Sequence, residues 1–600
     1  MSSAPSHSDL SSASVDATSF HLAGINTREW NDVVHRLGDA RTNEYTLALS
    51  LAWTQETKAV TRTAPGERHL DVLSRIANVA LQPPTHIADA FRQYIRNDIP
   101  ARLIDTTKLT FVERDAVFDI FFPEIAQISE EDIQRRTCAS GVVTHPEACI
   151  YVNPRKTALR ATIHEVVRYA IFSHRWTDSE PSYQDVLTSS GRLSIGKHRN
   201  FKTAGLTKLV RLCETARSLG YRLVWSDTCC IDKTNATELS EAIHAMFKWY
   251  AHAHVCIVHL AASSSLADFK REPWFERGWT LQELLAPKRI KFYNKDWHPF
   301  TDLVSDKANN MVLSALSAVT GIPRDAVVAD NSRGIRGRGI WEIMSWASMR
   351  KTTRIEDAAY CLFGLFDVNL PITYGEGEKA FPRLVEAIMA QCSTWDVFAW
   401  AGQASSRHPV LPSSPACYPK WDEGVIRGEV GMSGFALTPH GLRLTSVPLI
   451  PMAFVSEVKD GNESYAVTLS PRSDAEAALG TYSNITVICG SGRLRHIRDA
   501  TDLHACILNY QSRRRSHRGR MQVGKTYVCF LLHMEVRDVE GSTWLKFATD
   551  NVLRIACSGG PTEKIGPGRA SDTEQEMLDL PLRTTYIRAP GAQSPLWTRS

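Results

Sequence analysis

Between Val166 and Tyr293 short apolar runs alternate with amphipathic stretches of helical period, and this alternation restricts the fold more than any other feature of the chain. Tyr169 to Phe172 is an apolar run that opens onto Ser173, His174, Arg175 and Trp176. Gly205 to Leu219 then sets Leu206, Leu209, Val210, Cys213 and Ala216 on one helical face, with Gly220 as the stop. Tyr221 to Trp225 predicts a second strand leading into Ser226-Asp227-Thr228-Cys229-Cys230-Ile231-Asp232. Asn235 and Glu238 read as a capping box ahead of a helix faced by Leu239, Ile243, Met246, Phe247 and Tyr250. Val255 to Leu260 and Arg289 to Tyr293 complete the set of four strands. Strands this short, separated by helices, predict a parallel sheet covered on both faces. In such sheets ligands bind beyond the carboxyl ends of the strands, where His174, Arg175, Asp227 and Asp232 fall.

The stretch Trp274 to Pro287, WFERGWTLQELLAP, carries the second constraint. Leu281, Leu284 and Leu285 sit at i, i+3 and i+4, Thr280 is placed to cap, and Pro287 ends the helix. Glu283 then lies on or near the border of the apolar face, close to Trp279. A carboxyl group in such surroundings is expected to hold its proton more tightly. The competing reading is a surface Glu on an amphipathic helix.

The rest of the chain divides by composition. Residues 1–26 are Ser/Ala-rich and read as disordered; 27–100 is mostly helical in pattern. The α/β domain is placed at 101–300, and Ala101 to Phe122 alternates like an edge strand or hairpin leading into it. Residues 301–400 read as a helical extension, with Trp395 to Trp400 strand-like. The Ser/Pro-rich stretch 401–422 reads as a linker, 423–557 as a β-rich sandwich or barrel, and 558–600 as a loose tail. A net charge of +4 gives no global field for nucleic acid. Thirteen scattered cysteines without a C-x-x-C pair fit reduced thiols in a cytoplasmic protein. The first residues lack the charged and apolar regions of a secretory signal, and no apolar run is long enough to span a membrane.

Several motifs carry less than they promise. Gly519 to Thr526 matches G-x-x-x-x-G-K-T, but a phosphate loop must join a strand to a helix, and Tyr527 to Val536 reads as strand. A hairpin turn accounts for it better, and an NTP site at Lys525 is the weakest of the functional readings. The basic run from Arg513 has no interleaved aromatics and reads as a solvated loop. His244, His252, His254 and His259 have no carboxylate or Cys partner at a metal-site interval, so no metal is expected. Cys229 and Cys230 read as core. A Ser173–His174–Asp227 triad is poorly placed, because adjacent strand residues face opposite ways.

Five ordered blocks resemble the fungal heterokaryon-incompatibility (HET) domain family: YAIFSHRW at 169–176, VWSDTCCIDK at 224–233, the stretch 238–260, RGWTLQELLAP at 277–287, and 354–384. That resemblance implies a role in non-self recognition and programmed cell death. It also implies a fold similar to Toll/interleukin-1 receptor (TIR) domains, a flavodoxin-like parallel sheet. Some TIR domains cleave NAD at the nicotinamide–ribose bond with a Glu four residues after a Trp, an interval matched by Trp279 and Glu283. By resemblance Glu283 is the catalytic acid. Ser173, His174, Arg175, Trp176, Asp227, Asp232 and Trp279 would line the nucleotide site. NAD is then substrate, and no cofactor is required. The implied partners are further copies of the chain or other incompatibility proteins. The rival is a non-catalytic, self-associating signalling module in which Glu283 is a structural hydrogen-bond partner.

Overall fold

The computed structural model describes residues 87–139, 154–187, 204–329, 338–392 and 394–419 except 407 and 409. It also describes, apart from short gaps, 434–473, 483–556 and 577–588. The N-terminal stretch 1–26, most of 27–100 and nearly all of the tail lie outside the described residues, as does most of the basic run from Arg513.

The chain forms two compact units. The first is helical: α1 (Ile87–Asp98), α2 (Arg114–Ile125), α3 (Glu130–Ala139) and α4 (Pro154–Val166). Phe91, Tyr94 and Ile95 of α1 are buried, as are Val117, Phe118 and Phe121 of α2 and Leu159 and Ile163 of α4. The boundary expected at 100/101 is therefore displaced, since residues 113–168 join α1 rather than the sheet. Apolar side chains at helical spacing in α2 and α4 need a helical neighbour to bury against, and α1 supplies it.

The second unit holds the sheet. The hairpin expected in 101–122 is present only as β1 (Arg102–Asp105) and β2 (Thr110–Glu113), and the rest of that stretch is α2. Next come β3 (Tyr169–His174), α5 (Ala204–Ser218), β4 (Leu223–Trp225), α6 (Ala236–His252) and β5 (Val255–His259). The short helix α7 (Thr280–Leu285) and β6 (Ile290–Tyr293) complete the alternation. The strand order is β2-β1-β4-β3-β5-β6. β3 runs parallel to both β4 and β5, and β5 parallel to β6; β1 is antiparallel to β4. Every residue of β3, β4, β5 and β6 is buried, as an apolar run covered on both faces requires.

Strand order decides where a ligand can go. From β3 the chain adds β4 on one side, then crosses to add β5 on the other. The carboxyl ends of β3 and β5 therefore flank a topological switch point, where connections leave in opposite directions and a crevice opens. His174 and His259 are the register partners there. The outer edge of β6 is capped by side chains: Ser305 Oγ accepts from Ile290 N and Asp306 Oδ2 from Phe292 N, at 3.2 and 2.6 Å. An edge so occupied cannot pair with another strand.

After β6 come α8 (Asn310–Thr320), α9 (Ile340–Ala347), two single helical turns at Asp357–Tyr360 and Phe363–Phe366, and α10 (Ala380–Gln391). These helices pack tightly on the α/β core. A Cβ at Gly364 would stand 2.1 Å from Phe247 Cβ of α6. Gly364→Ala should therefore cost about 1–3 kcal/mol, read as a lowered thermal midpoint with α6 shifted.

Trp395–Phe398 is a 3-10 turn, and the stretch expected as a strand up to Trp400 forms none. The expected linker is packed where it is described: Val410, Leu411 and Tyr418 are buried, and the Tyr418 hydroxyl donates to Val397 O at 2.7 Å. Its Pro residues punctuate a folded seam, and its apolar residues hold that seam down. Beyond it lies a β domain. Gly441–Asp460 pairs with Leu503–Ile507, which pairs with Thr526–Asp538, then Gly541–Lys546, then Met577–Arg588, and back to Gly441–Asp460. This ring of pairings is the barrel-like alternative of the sequence reading. Gly519 to Thr526 passes from strand through a turn at Gly524 (φ 80°) into another strand, so the loop leads into no helix as a phosphate loop must.

Candidate functional site

Glu283 sits at the carboxyl end of β3, against its Ser173. The approach is built by the loop between β5 and α7. Glu272 is buried, and its carboxylate accepts from Ala262 N at 3.0 Å and Ser263 Oγ at 2.8 Å, fixing the loop base. Pro273 starts the 3-10 turn Pro273–Glu276, and Trp274, fully buried, is driven under the sheet. Its indole N–H donates to Ser173 Oγ at 2.8 Å. Ser173 Oγ in turn donates to Glu283 Oε2 at 2.5 Å. Thr280 does not cap α7 as expected; its hydroxyl donates to Trp274 O at 2.6 Å, and all six residues of α7 are buried.

Glu283 is only 5 % exposed. Burial pushes its carboxyl pKa up to about 7, and the nearby negative charge of Asp227 adds to the rise. The Ser173 hydroxyl and the guanidinium groups of Arg277 and Arg350 oppose it. Near neutral pH the group is thus poised between acid and base. The sign for stability follows. A carboxyl whose folded pKa exceeds its unfolded value of 4.5 contributes stability that is present below pH 4.5 and lost as pH rises through about 7. A shift of that size corresponds to about 3 kcal/mol. Glu283→Gln, neutral at every pH, should unfold at a higher temperature than the parent at pH 8 and at nearly the same temperature at pH 4. A melting series across that range reads the difference.

Asp227 and Arg277, whose charges act on the acid, belong to a polar cluster. Trp176 is 40 % exposed, and its indole N–H donates to Asp227 Oδ2 at 2.7 Å. Lys233 Nζ lies 3.8 Å from the Trp176 ring centroid and the Arg277 guanidinium carbon 5.4 Å from it. Arg277 also donates to His174 O at 3.2 Å. The cluster therefore joins an aromatic plate, two cations and a carboxylate, groups suited to a ring and a phosphate.

Ser173 thus bonds Glu283, Asp227 acts on it through its charge, and Trp176 is tied to Asp227. Arg175 is exposed in the loop just after β3, and its carbonyl accepts from Lys208 Nζ at 3.2 Å. His174 points to the other face of β3, stacked on Phe172 at 4.2 Å between centroids. Its Nε2 is 3.6 Å from Glu180 Oε2, too long for a hydrogen bond, and burial lowers its pKa. Alternation along the strand is why Ser173 bonds Glu283 and not His174. Asp232 closes a turn through Thr234 N and Oγ1, at 3.0 and 2.6 Å. The Trp279 indole donates to Asp357, so it is held by the helical extension. Among the clustered histidines, His244 is spent on Ser240 O and Leu370 O, and His254 on Tyr221 and Arg289. Sequence reasoning missed Trp274, Arg277, Lys233 and Arg350. The first three lie in or beside the quoted blocks, whereas nothing local marks Arg350.

The family model described as heterokaryon incompatibility protein (HET) matches residues 169–272. That segment is similar to a HET domain. The match holds Ser173 to Trp176, Asp227 and Asp232, and stops short of Trp279 and Glu283. Vegetative incompatibility protein HET-E-1 of Podospora anserina is 39% identical over 235 residues, which are 37% of this chain and 16% of that protein. The chain therefore spans about a sixth of the relative's length. No solved structure matches the chain. The matched segment contributes β3 to β5, the strands on either side of the switch point.

Proposed function

We propose that this HET-domain protein promotes cell death in fungal incompatibility by cleaving NAD, with Glu283 as the catalytic carboxylate. The observation that carries the reading is a buried carboxyl whose pKa is pushed up to about 7, held by Ser173 at a switch point and close to Asp227, which is bonded to an exposed Trp with two cations beside its ring. In the reaction the C1′–N bond of the nicotinamide riboside breaks, and its electron pair goes to the pyridinium nitrogen. The ribose is left as an oxocarbenium ion, water adds at C1′, and one proton is released. A desolvated carboxylate on that face stabilises the cation more than any ground-state charge distribution. Trp176 would stack on a base, and Arg277 and Lys233 would meet the diphosphate. The TIR-like character of the core and a cytoplasmic setting belong to the same proposal. Among the described residues no helix is long and apolar enough to cross a membrane.

The test is nicotinamide release from NAD by the purified, oligomerised chain and by Glu283→Gln. Release by the parent that vanishes in the variant supports the reading, and equal release by both removes it. One observation favours a second reading, the self-associating module without catalysis. Glu283 is 5 % exposed with one oxygen already taken by Ser173, as a structural hydrogen-bond partner would be. Concentration-dependent assembly that leaves NAD intact and is weakened in Glu283→Gln is the outcome for that reading.

A further inference from the structure

The segment that carries Glu283 is gripped from a distant part of the chain. Residues 350–352 run along residues 276–278: Lys351 N donates to Glu276 O at 2.6 Å, and Gly278 N donates to Lys351 O at 2.9 Å. Gly278 admits this contact because it has no side chain, since a Cβ there would lie 2.5 Å from Thr352 Cγ2. Arg350 closes the clasp. Its Nη1 donates to Arg277 O and to Thr280 Oγ1, both at 2.8 Å, and its Nε donates to Trp346 O at 3.3 Å. Thr280 Oγ1 is the hydroxyl that reaches Trp274 O, so one guanidinium locks the turn below Ser173 and the first turn of α7 together. Its remaining Nη2 is buried without a hydrogen-bond partner among the described residues. A buried cation with spare donor capacity is costly unless a negative charge faces it.

From this geometry we infer that Arg350 is the positioning residue of the Glu283 site: the helical extension reaches back through it to set the place of the acid and to balance its charge. The inference rests on the reading of Glu283 as the functional acid. The extension is then part of the site. The groups facing Glu283 divide by sign. Ser173, Arg277 and Arg350 favour the carboxylate. Burial and Asp227 disfavour it, and Tyr250 and Cys256 are neighbours whose own pKa values burial raises, with the acid adding to the rise. The Arg350 guanidinium is itself lowered to about 10 by burial, while Cys361 and Glu283 hold it up.

The experiment reads the ionisation of Glu283 without asking for activity. Infrared difference spectra of each full-length protein against its own Glu283→Gln counterpart isolate the carboxyl and carboxylate bands of this one group. Their pH dependence gives its midpoint. The expected order is wild type lowest, Arg350→Lys next, Arg350→Gln highest. The span should be at least about one pH unit, since removing a nearby opposite charge raises a carboxyl pKa. Lys comes between because its ammonium keeps the charge but cannot bridge Arg277 O and Thr280 Oγ1 as the planar fork does. If Arg350→Gln does not fold, Arg350→Lys decides alone: a midpoint above wild type supports the inference, and an unchanged one overturns it. Equal midpoints in all three proteins also overturn it. Nicotinamide release is scored separately. Intact NAD with the ordered midpoints retires the reaction and keeps the clasp, while released nicotinamide with equal midpoints does the reverse.

Discussion

Glu283→Gln is expected to lower nicotinamide release by about 100-fold or more, the range for removing a positioned acid–base or charge-stabilising group. Gln keeps the shape and can still accept from the Ser173 hydroxyl, so the bonds among Ser173, Trp274 and the start of α7 survive. What it cannot do is carry negative charge when the ribose carbon becomes cationic. The loss should therefore fall on kcat, with KM for NAD little changed, because Trp176, Lys233 and Arg277 are untouched. The parent's rate should rise with pH through about 7, as the buried carboxyl gives up its proton. Steady-state kinetics between pH 5 and 9 reads both. A variant that releases nicotinamide at the parent's rate would remove Glu283 from the chemistry.

Trp274→Ala is expected to be the most damaging single change to the fold of the α/β core. The indole is fully buried and packs edge-on against Phe275 and Phe292, with centroids 5.0 and 6.0 Å away. Emptying such a site costs about 3–5 kcal/mol in transfer and cavity terms. It also leaves Ser173 without one donor, beneath a carboxyl that depends on it. Trp274→Phe fills most of the space and loses only the N–H···O bond, a cost of about 1 kcal/mol. Denaturant titration should show a large drop for Ala and a small one for Phe. A drop of the same size for both would mean that the hydrogen bond, and not the packing, dominates.

The parallel core was legible because burial on both faces leaves a direct mark. Each strand must be an apolar run, and Tyr169–Phe172, Leu223–Trp225, Val255–His259 and Ile290–Tyr293 carry it. The helix caps were half legible. Asn235 does accept from Thr237 N and Glu238 N, but the Glu238 carboxylate goes to Arg102 and to Asp232 N instead of closing the box. Local pattern located the capping residue, and a long-range cation took the carboxylate. The linker reading failed for a related reason: Ser and Pro mark breaks in regular structure, and breaks can be buried when Val410, Leu411 and Tyr418 lie between them.

The candidate site splits along the same line. Sequence alone determined that Glu283 follows Trp279 by four residues on a helix after a strand, and that an earlier strand opens onto Ser173 to Trp176. Those are statements about neighbours in the chain, which periodicity and residue type record. Only the tertiary structure decided which of these side chains meet. Strand alternation sends Ser173 towards the acid and His174 away from it; Trp279 is drawn to Asp357, and Arg350 arrives from the extension. The exposure of a carboxyl, and so its pKa, depends on everything packed around it, and most of that comes from residues far away in the chain.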